Sequence, residues 1–400
     1  MTKLSNGHAQ DRPKIGAVVV GGDYQGLGIV RSLGRQGVPI CIVDDEHSVS
    51  RYSRYATHFV KVENLREERA MIDHVISIGS RLGLEGWVLF PTRDEQVAAF
   101  SRNRDELARQ FRVPTPCWES VQWAWDKRNT YRRAKELDIP IPATHYPNTL
   151  DDLHELDGLS GPFAIKPAIK EHFVYATKAK AWRANNHEEL RDLFQKASEV
   201  VEPGEVMIQE VIPGDGTRQF SYCAFFREGQ PVGKMVAMRR RQHPLEFGRA
   251  STYVETVDLP VLEELSERFL RAIGYYGLVE VEYKFDPRDG RYKLLDVNAR
   301  TWGYHSLGAQ AGVDFSYMLY ADQLGLPTAS AKGVSGVGWM RTTTDVPAAV
   351  VAMLAGDTSL RGYLRSIRNC SGDAVFSARD PLPGVAEILL LPYLALKRGF

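Results

Sequence analysis

The sequence predicts an open parallel α/β unit followed by a larger α+β unit, and three observations carry that expectation. Near-continuous apolar runs alternate with amphipathic stretches through the N-terminal part, the pattern of strands covered on both faces. Further along, strands and helices come in mixed order and include a hairpin pattern. The chain of 400 residues, 44% hydrophobic and 25% charged, is long enough for more than one core.

Residues 1–13 are polar and lack the apolar stretch of a signal peptide, which predicts a disordered lead-in. From Ile15 the segment IGAVVVGGDYQGLGIVRSLGRQGVPICIVDD reads as a buried strand, a glycine turn, a helix and a second strand ending at Asp44 and Asp45. A helix over Arg66–Leu82, a strand over Trp87–Thr92 and a helix carrying Gln96 to Arg109 continue the alternation, so the first unit spans 14–111. Prolines at 114, 116, 140, 142 and 147 then bracket one helix containing WAWDKRNTYRRAKEL. Within 112–330 follow the strand PFAIKPA, a polar loop, a helix over Glu188–Val200 and the strand EVMIQEVI. The turn PGDG, the strand FSYCAFF and a helix over Leu262–Ile273 come next, and then the hairpin GLVEVEYKFDPRDGRYKLLDVNAR, with DPRDG as its turn. Residues 331–400 read as an extension packing on that core. Its apolar run Ile388–Leu396, interrupted by Pro392, is too short to span a bilayer; it predicts a docking helix, with peripheral membrane contact as the alternative.

Fifty basic and fifty acidic residues balance, which removes a global electrostatic case for nucleic-acid binding. Cys41, Cys117, Cys223 and Cys370 lie far apart with no CxxC pair, so neither a zinc cluster nor a disulfide framework is indicated and a reducing cytoplasm is expected. The turn GGDYQGLG places its glycines in GxxxGxG order, off the dinucleotide fingerprint, although Asp44 stands where an acid could hold a ribose. No GxxxxGK[ST] phosphate loop, GxSxG elbow or HExxH helix occurs.

Chemistry is carried by an ordered set: Lys127 in WDKRNT, Lys166 in AIKPA, QEVIPGD from Gln209, the run MRRRQHP, and Glu282 with Asp296, Asn298 and Arg300. Pairing of the hairpin arms brings Glu282, Asp296 and Asn298 to one face, a hard oxygen site suited to Mg²⁺. Asp296 and Lys166 both sit in apolar strands, where an ionised group needs a partner. In the run Arg239–Arg241, strand alternation lets Arg239 and Arg241 share a site while Arg240 faces away.

This order resembles the ATP-grasp superfamily, in which an α/β domain precedes the ATP-grasp fold. The segments VMIQEVIPGD, RRQHPLEFG and LLDVNARTWG resemble its carboxylate–amine ligases of the D-aspartate ligase-like group. The resemblance spans about Ile15 to Gly325 and implies two cofactors, ATP and Mg²⁺, with Mn²⁺ as the alternative ion. It implies that Lys127 and Lys166 contact phosphates, that Gln209, Glu210, Val211 and Ile212 form the hinge meeting adenine, and that Asp215 holds the ribose. Glu282, Asp296 and Asn298 would bind the metal, with Arg300 and Arg241 at the transferred phosphoryl group or the substrate carboxylate. The implied reaction turns a carboxylate into an acyl phosphate that an amine attacks, releasing ADP and phosphate; small-molecule partners, no integral membrane segment and a homodimer fit it. The segment KEHFVYATKAKAW has no glycine where the family has a phosphate-covering loop, leaving Lys178, Lys180 or His172 as substitutes and 170–180 as a lid. A dinucleotide-dependent oxidoreductase and a non-catalytic ATP-binding protein are the rival readings.

Overall fold

The computed structural model describes residues 14–214, 218–243, 247–248, 250–356 and 358–398, and three sheets organise them. The first holds β1 (Ala17–Val20), β2 (Ile40–Asp44), β3 (His58–Lys61) and β4 (Val88–Pro91) in the order β3-β2-β1-β4, all parallel. Helices α1 (Tyr24–Arg35), α2 (Glu68–Leu82), α3 (Asp94–Arg102) and α4 (Arg104–Ala108) accompany it. The strands are continuous apolar runs because both faces are covered: Ala17, Val19, Ile40 and Ile42 enter one core, while Val18, Val20, Cys41 and Val43 enter another. The single helix expected from Gln96 to Arg109 is two, parted at Asn103, whose side-chain amide is drawn to Glu68 and the Ala99 carbonyl.

The expected single helix across WAWDKRNT is likewise two, α5 (Trp118–Trp125) and α6 (Lys127–Glu136). Asp126 parts them because its backbone turns extended (φ −105°, ψ 114°) and its carboxylate accepts from the Arg128 amide at 2.9 Å, an N-cap that makes Lys127 the first residue of a new helix.

The second sheet is small and antiparallel, with β5 (Thr144–His145), β6 (Phe163–Pro167), β7 (Trp182–Ala184) and β8 (Val206–Glu210) in the order β5-β8-β6-β7. The expected polar loop after β6 is α7 (Lys170–Thr177), ended by Lys178 in the left-handed region (φ 58°); α8 (His187–Ser198) packs on β6 and β7.

The third sheet orders β9 (Gln219–Arg227), β10 (Gln230–His243), β11 (Ala250–Val257), β12 (Gly277–Asp286), β13 (Arg291–Asn298), β14 (Ala331–Lys332), β15 (Gly338–Met340) and β16 (Cys370–Asp373) as β13-β12-β9-β10-β11-β15-β16, with β14 beside β10. α9 (Pro260–Ala272) packs on β9 and β10, and α10 (Ser306–Gln310) and α11 (Phe315–Gln323) pack against α1. The last segment adds α12 (Thr342–Leu354), α13 (Leu360–Ser366) and α14 (Leu382–Arg398), the last running through Pro392. Buried ion pairs clasp it down. Arg31 of α1 meets Asp380 at 2.9 Å, Arg241 of β10 meets Asp345 at 2.7 Å, and Arg341 meets Glu387 at 2.7 Å. Among the described residues no helix is long and apolar enough to cross a membrane.

Candidate functional site

The hairpin β12–β13 sets the site. Its register places Glu280 opposite Asn298 and Glu282 opposite Asp296. Strand alternation sends these four side chains to one face, while Val279, Val281 and Val297 enter the core behind. The register shifts after Glu282, leaving Leu295 outside the ladder, and the Leu295 carbonyl accepts from the Tyr131 hydroxyl at 2.9 Å. That hydroxyl in turn accepts from Lys166 Nζ at 2.9 Å. The bulge thus fixes a tyrosine on α6, and the tyrosine aims a lysine on β6.

Lys127, at the start of α6, is buried and its Nζ lies 2.9 Å from Asp296. Burial works against its charge, but the Asp296 carboxylate more than compensates and holds the ammonium above its ordinary range. Lys166 has no such carboxylate; burial, aided by the nearby Lys127 charge, pushes it down to about 7. Lys180, whose Nζ donates to the Gly248 carbonyl at 3.2 Å, is pushed down by burial to about 8. Glu282 is held at about 2 against the burial that would raise it, chiefly by Arg239 and Lys180.

The arginines divide differently from the sequence expectation. Arg300 donates to both oxygens of Asp94, at 2.7 and 2.9 Å, and to Asn298 Oδ1 at 3.1 Å, joining the hairpin to the first turn of α3. Arg239 reaches Glu282 at 3.2 Å, with Gln219 at 2.6 Å and Gln242 at 3.2 Å steadying the same guanidinium. Arg241 does not join them. Its guanidinium makes two bonds to Asp345, at 2.8 and 2.7 Å, and lies between the rings of Tyr253 and Tyr363. The reason is local: the β10–β11 register shifts on both sides of Arg241, so Arg239 and Arg241 do not share a site.

Glu280, absent from the sequence-derived set, belongs to the site. It accepts from Tyr304 at 2.5 Å and from Asn298 at 3.1 Å, and burial, with the Glu282 charge adding to it, raises it to about 7. The signal was the E-x-E spacing, which puts Glu280 and Glu282 on one strand face. A cavity of about 840 Å³ is lined by Lys170, Lys180, Arg239, Glu282, Asp296 and Arg300, with Glu280 and Tyr304 at one side. A smaller cleft of about 350 Å³ adjoins it at Lys127, Asp296 and Asn298. Lys127, Lys170, Lys180, Arg239 and Arg300 stand among the five carboxylates of the two clefts, fixed positive charge of the kind a polyanion needs. Helix α7 covers the cavity with Lys170 and Val174. It is tied to α3 by Lys170 with Asp94 and by Tyr175 donating to Glu95 at 2.6 Å. His172 is turned away to Glu205, 2.8 Å distant.

At the end of β8, Gln209 is buried and donates to Thr144 at 2.8 Å. Glu210 faces Arg288 at 2.6 Å and Lys293 at 3.1 Å, tying this strand to the hairpin. The Val211 amide donates to the Pro162 carbonyl at 3.3 Å, and the Ile212 carbonyl accepts from Lys284 at 2.8 Å. Asp215 lies outside the described residues. At the glycine turn, Asp44 accepts from the Gly22 amide at 2.7 Å and pairs with Arg93 at 3.1 Å, so its carboxylate is engaged within the chain.

The donor set can be tested against a divalent cation. Among the described residues no group of three or more His, Cys, Asp or Glu converges as a metal cage. Glu282 and Asp296 stand opposite one another and offer hard carboxylate oxygens, while Asn298 turns its amide nitrogen to Glu282 at 2.9 Å and its oxygen accepts from Arg300 at 3.1 Å. That set fits a hard cation whose remaining ligands come from phosphate and water.

No family model matches the chain. Over 303 residues it is 23% identical to the D-aspartate ligase of Enterococcus faecium (strain Aus0004), covering 71% of this chain and 70% of that protein. Among solved structures it is similar to an L-amino acid ligase from Bacillus licheniformis (TM-score 0.59, 15% identity, 79% of this chain and 75% of that one). It is also similar to the biotin carboxylase domain of the Hydrogenobacter thermophilus 2-oxoglutarate carboxylase, solved with MgADP, ADP and bicarbonate (TM-score 0.65, 13% identity, 82% and 74%). A third likeness is to the N5-carboxyaminoimidazole synthetase of Staphylococcus aureus (TM-score 0.59, 14% identity, 80% and 80%). The chain shares the fold of these enzymes.

Proposed function

We propose that the chain is an ATP-dependent carboxylate–amine ligase that phosphorylates a small carboxylate, joins the acyl phosphate to an amine and releases ADP and phosphate. The observation that carries this reading is the convergence of Lys127, Lys166, Lys180, Arg239 and Arg300 around the paired Glu282, Asp296 and Asn298. Phosphoryl transfer asks a protein mainly for positioning and for fixed positive charge, and this is what the site supplies. The relatives support the joining step, as two of them are named as ligases of D-aspartate and of L-amino acids.

In this reading Lys127 and Lys166 hold the nucleotide phosphates, Gln209, Glu210, Val211 and Ile212 meet the adenine, and Asp215 takes the ribose. Glu282, Asp296 and Asn298 would hold Mg²⁺, which when bound neutralises phosphate charge. Arg300, fixed by Asp94 and Asn298, faces the transferred phosphoryl group. Arg239, in place of Arg241, orients the carboxylate or its acyl phosphate. Helix α7 excludes water from the acyl phosphate. The deciding experiment is turnover with Mg²⁺ over a panel of amino acids and small acids, following phosphate and nucleotide together. ADP and phosphate dependent on an acid and amine pair support the reading; AMP and pyrophosphate, or no stabilisation by ATP, overturn it.

Two further outcomes are expected. Lys166 is near half-charged at about pH 7 when free, and a bound polyphosphate raises its proton affinity. ATP binding should therefore take up protons above pH 7 and weaken as pH rises through the shifted value. Calorimetry in buffers of different ionisation enthalpy measures this, and a Lys166→Met variant should lose part of the uptake, Lys180 at about 8 supplying the rest. Arg239→Ala and Arg241→Ala should part company. The first should lower kcat/KM by about 10²–10³ with the fold intact. The second should leave activity per folded molecule unchanged but destabilise by about 3–5 kcal/mol, because Asp345 is then buried without its cation.

A further inference from the structure

Twelve of the twenty exposed large apolar side chains among the described residues lie on α12, α13 and α14. Leu354 is 84% exposed and Leu389 76%, with Val351, Leu360, Leu364 and Ile388 all more than half exposed. The three helices adjoin: the first turn of α12 holds Thr343, which donates to Glu387 of α14 at 2.6 Å, and Asp345, which accepts from Tyr363 of α13 at 3.2 Å. An apolar face of this extent marks an interaction site.

Charge identifies the partner. Of the described acids between 342 and 393, Asp345, Asp380 and Glu387 are buried in the clasps. Asp373 is half-buried, holding Thr342 and the backbone of Val375 and Phe376. Arg361, Arg365 and Arg368 are exposed. Every described acid of this segment is thus turned inward, while three arginines stand among protruding aliphatic side chains. None of the helices can cross a bilayer, but their apolar faces can lie in its headgroup boundary.

We propose that this face docks on an anionic lipid surface, with the apolar side chains of α12, α13 and α14 entering the headgroup region and Arg361, Arg365 and Arg368 pairing with lipid phosphates. The inference is independent of the ligase reading. Co-sedimentation of the full chain with phosphatidylcholine vesicles, with or without phosphatidylglycerol, tests it. Binding should require the anionic lipid and weaken as salt rises. Each arginine is worth about fivefold near such a surface, so a variant carrying Arg361→Gln, Arg365→Gln and Arg368→Gln should bind roughly a hundredfold more weakly. The double variant Leu354→Asp with Leu389→Asp should abolish binding, with the thermal shift on ATP unchanged in both. Equal binding to neutral vesicles, no binding at all, or a dimer in size exclusion that the leucine variant splits would each overturn the proposal.

Discussion

An Asp296→Asn variant is expected to lose ATP-dependent turnover by about three orders of magnitude while keeping its fold. The substitution is nearly isosteric, and Asp296 is only partly buried, on the open face of the hairpin. It removes one of the two carboxylates offered to a cation, and it removes the partner that keeps Lys127 charged. Without Asp296, burial and the neighbouring Lys170 charge act on Lys127 unopposed and push it down, as burial pushes down Lys166. Turnover and nucleotide affinity measured across pH 6–8 check this, the variant's ATP affinity falling more steeply with rising pH than the wild type's. Activity within tenfold of wild type would remove Asp296 from the site.

Asp94→Asn should act through two cations at once. Asp94 receives Arg300 through both oxygens and also pairs with Lys170. Losing it strips buried Arg300 of its carboxylate and leaves Lys170 only Glu171 at 3.4 Å, with an expected cost of about 3 kcal/mol of stability. It also releases Arg300 and the first residue of the covering helix together, so kcat should fall in addition, by about 10². These two arginine and lysine charges hold the Asp94 carboxyl far below the usual carboxylate range, in spite of its burial. Its contribution to stability is therefore complete above the unfolded value of about 4 and is lost as pH falls towards the folded value. Chemical denaturation of wild type and variant should give a constant difference from neutral pH down to about pH 4 that narrows below. A variant as stable as wild type at pH 7 would refute the clasp.

The parts of this molecule legible in the sequence are those set by side-chain period. The apolar runs of β1 and β2 and the alternation of the hairpin are local patterns, and they carry Glu282, Asp296 and Asn298 to one face. What alternation could not show was where it fails. The bulges around Arg241 depend on β11, a strand no local signal marked, so the arginine nearest the carboxylates is Arg239. A capping carboxylate, Asp126, outweighed the helical pattern of WAWDKRNT and gave Lys127 its place. Helix α7 replaced a polar loop because Lys170 and Tyr175 find acids on α3, contacts made across the fold rather than along the chain. Glu280 was hidden by its neighbour: one acid of the E-x-E pair explained the motif, and the burial that marks the other is a tertiary property.

The closing clasps also bear on how the chain is made. Arg31 waits for Asp380, 349 positions later, and β11 gains its outer neighbours only when β15 and β16 exist. Contacts of such separation form late and slowly. A nascent chain therefore holds its sheet edge and the α1 guanidinium open until residues 338–380 have been made, so that a chain truncated before Asp380 should depend on chaperones.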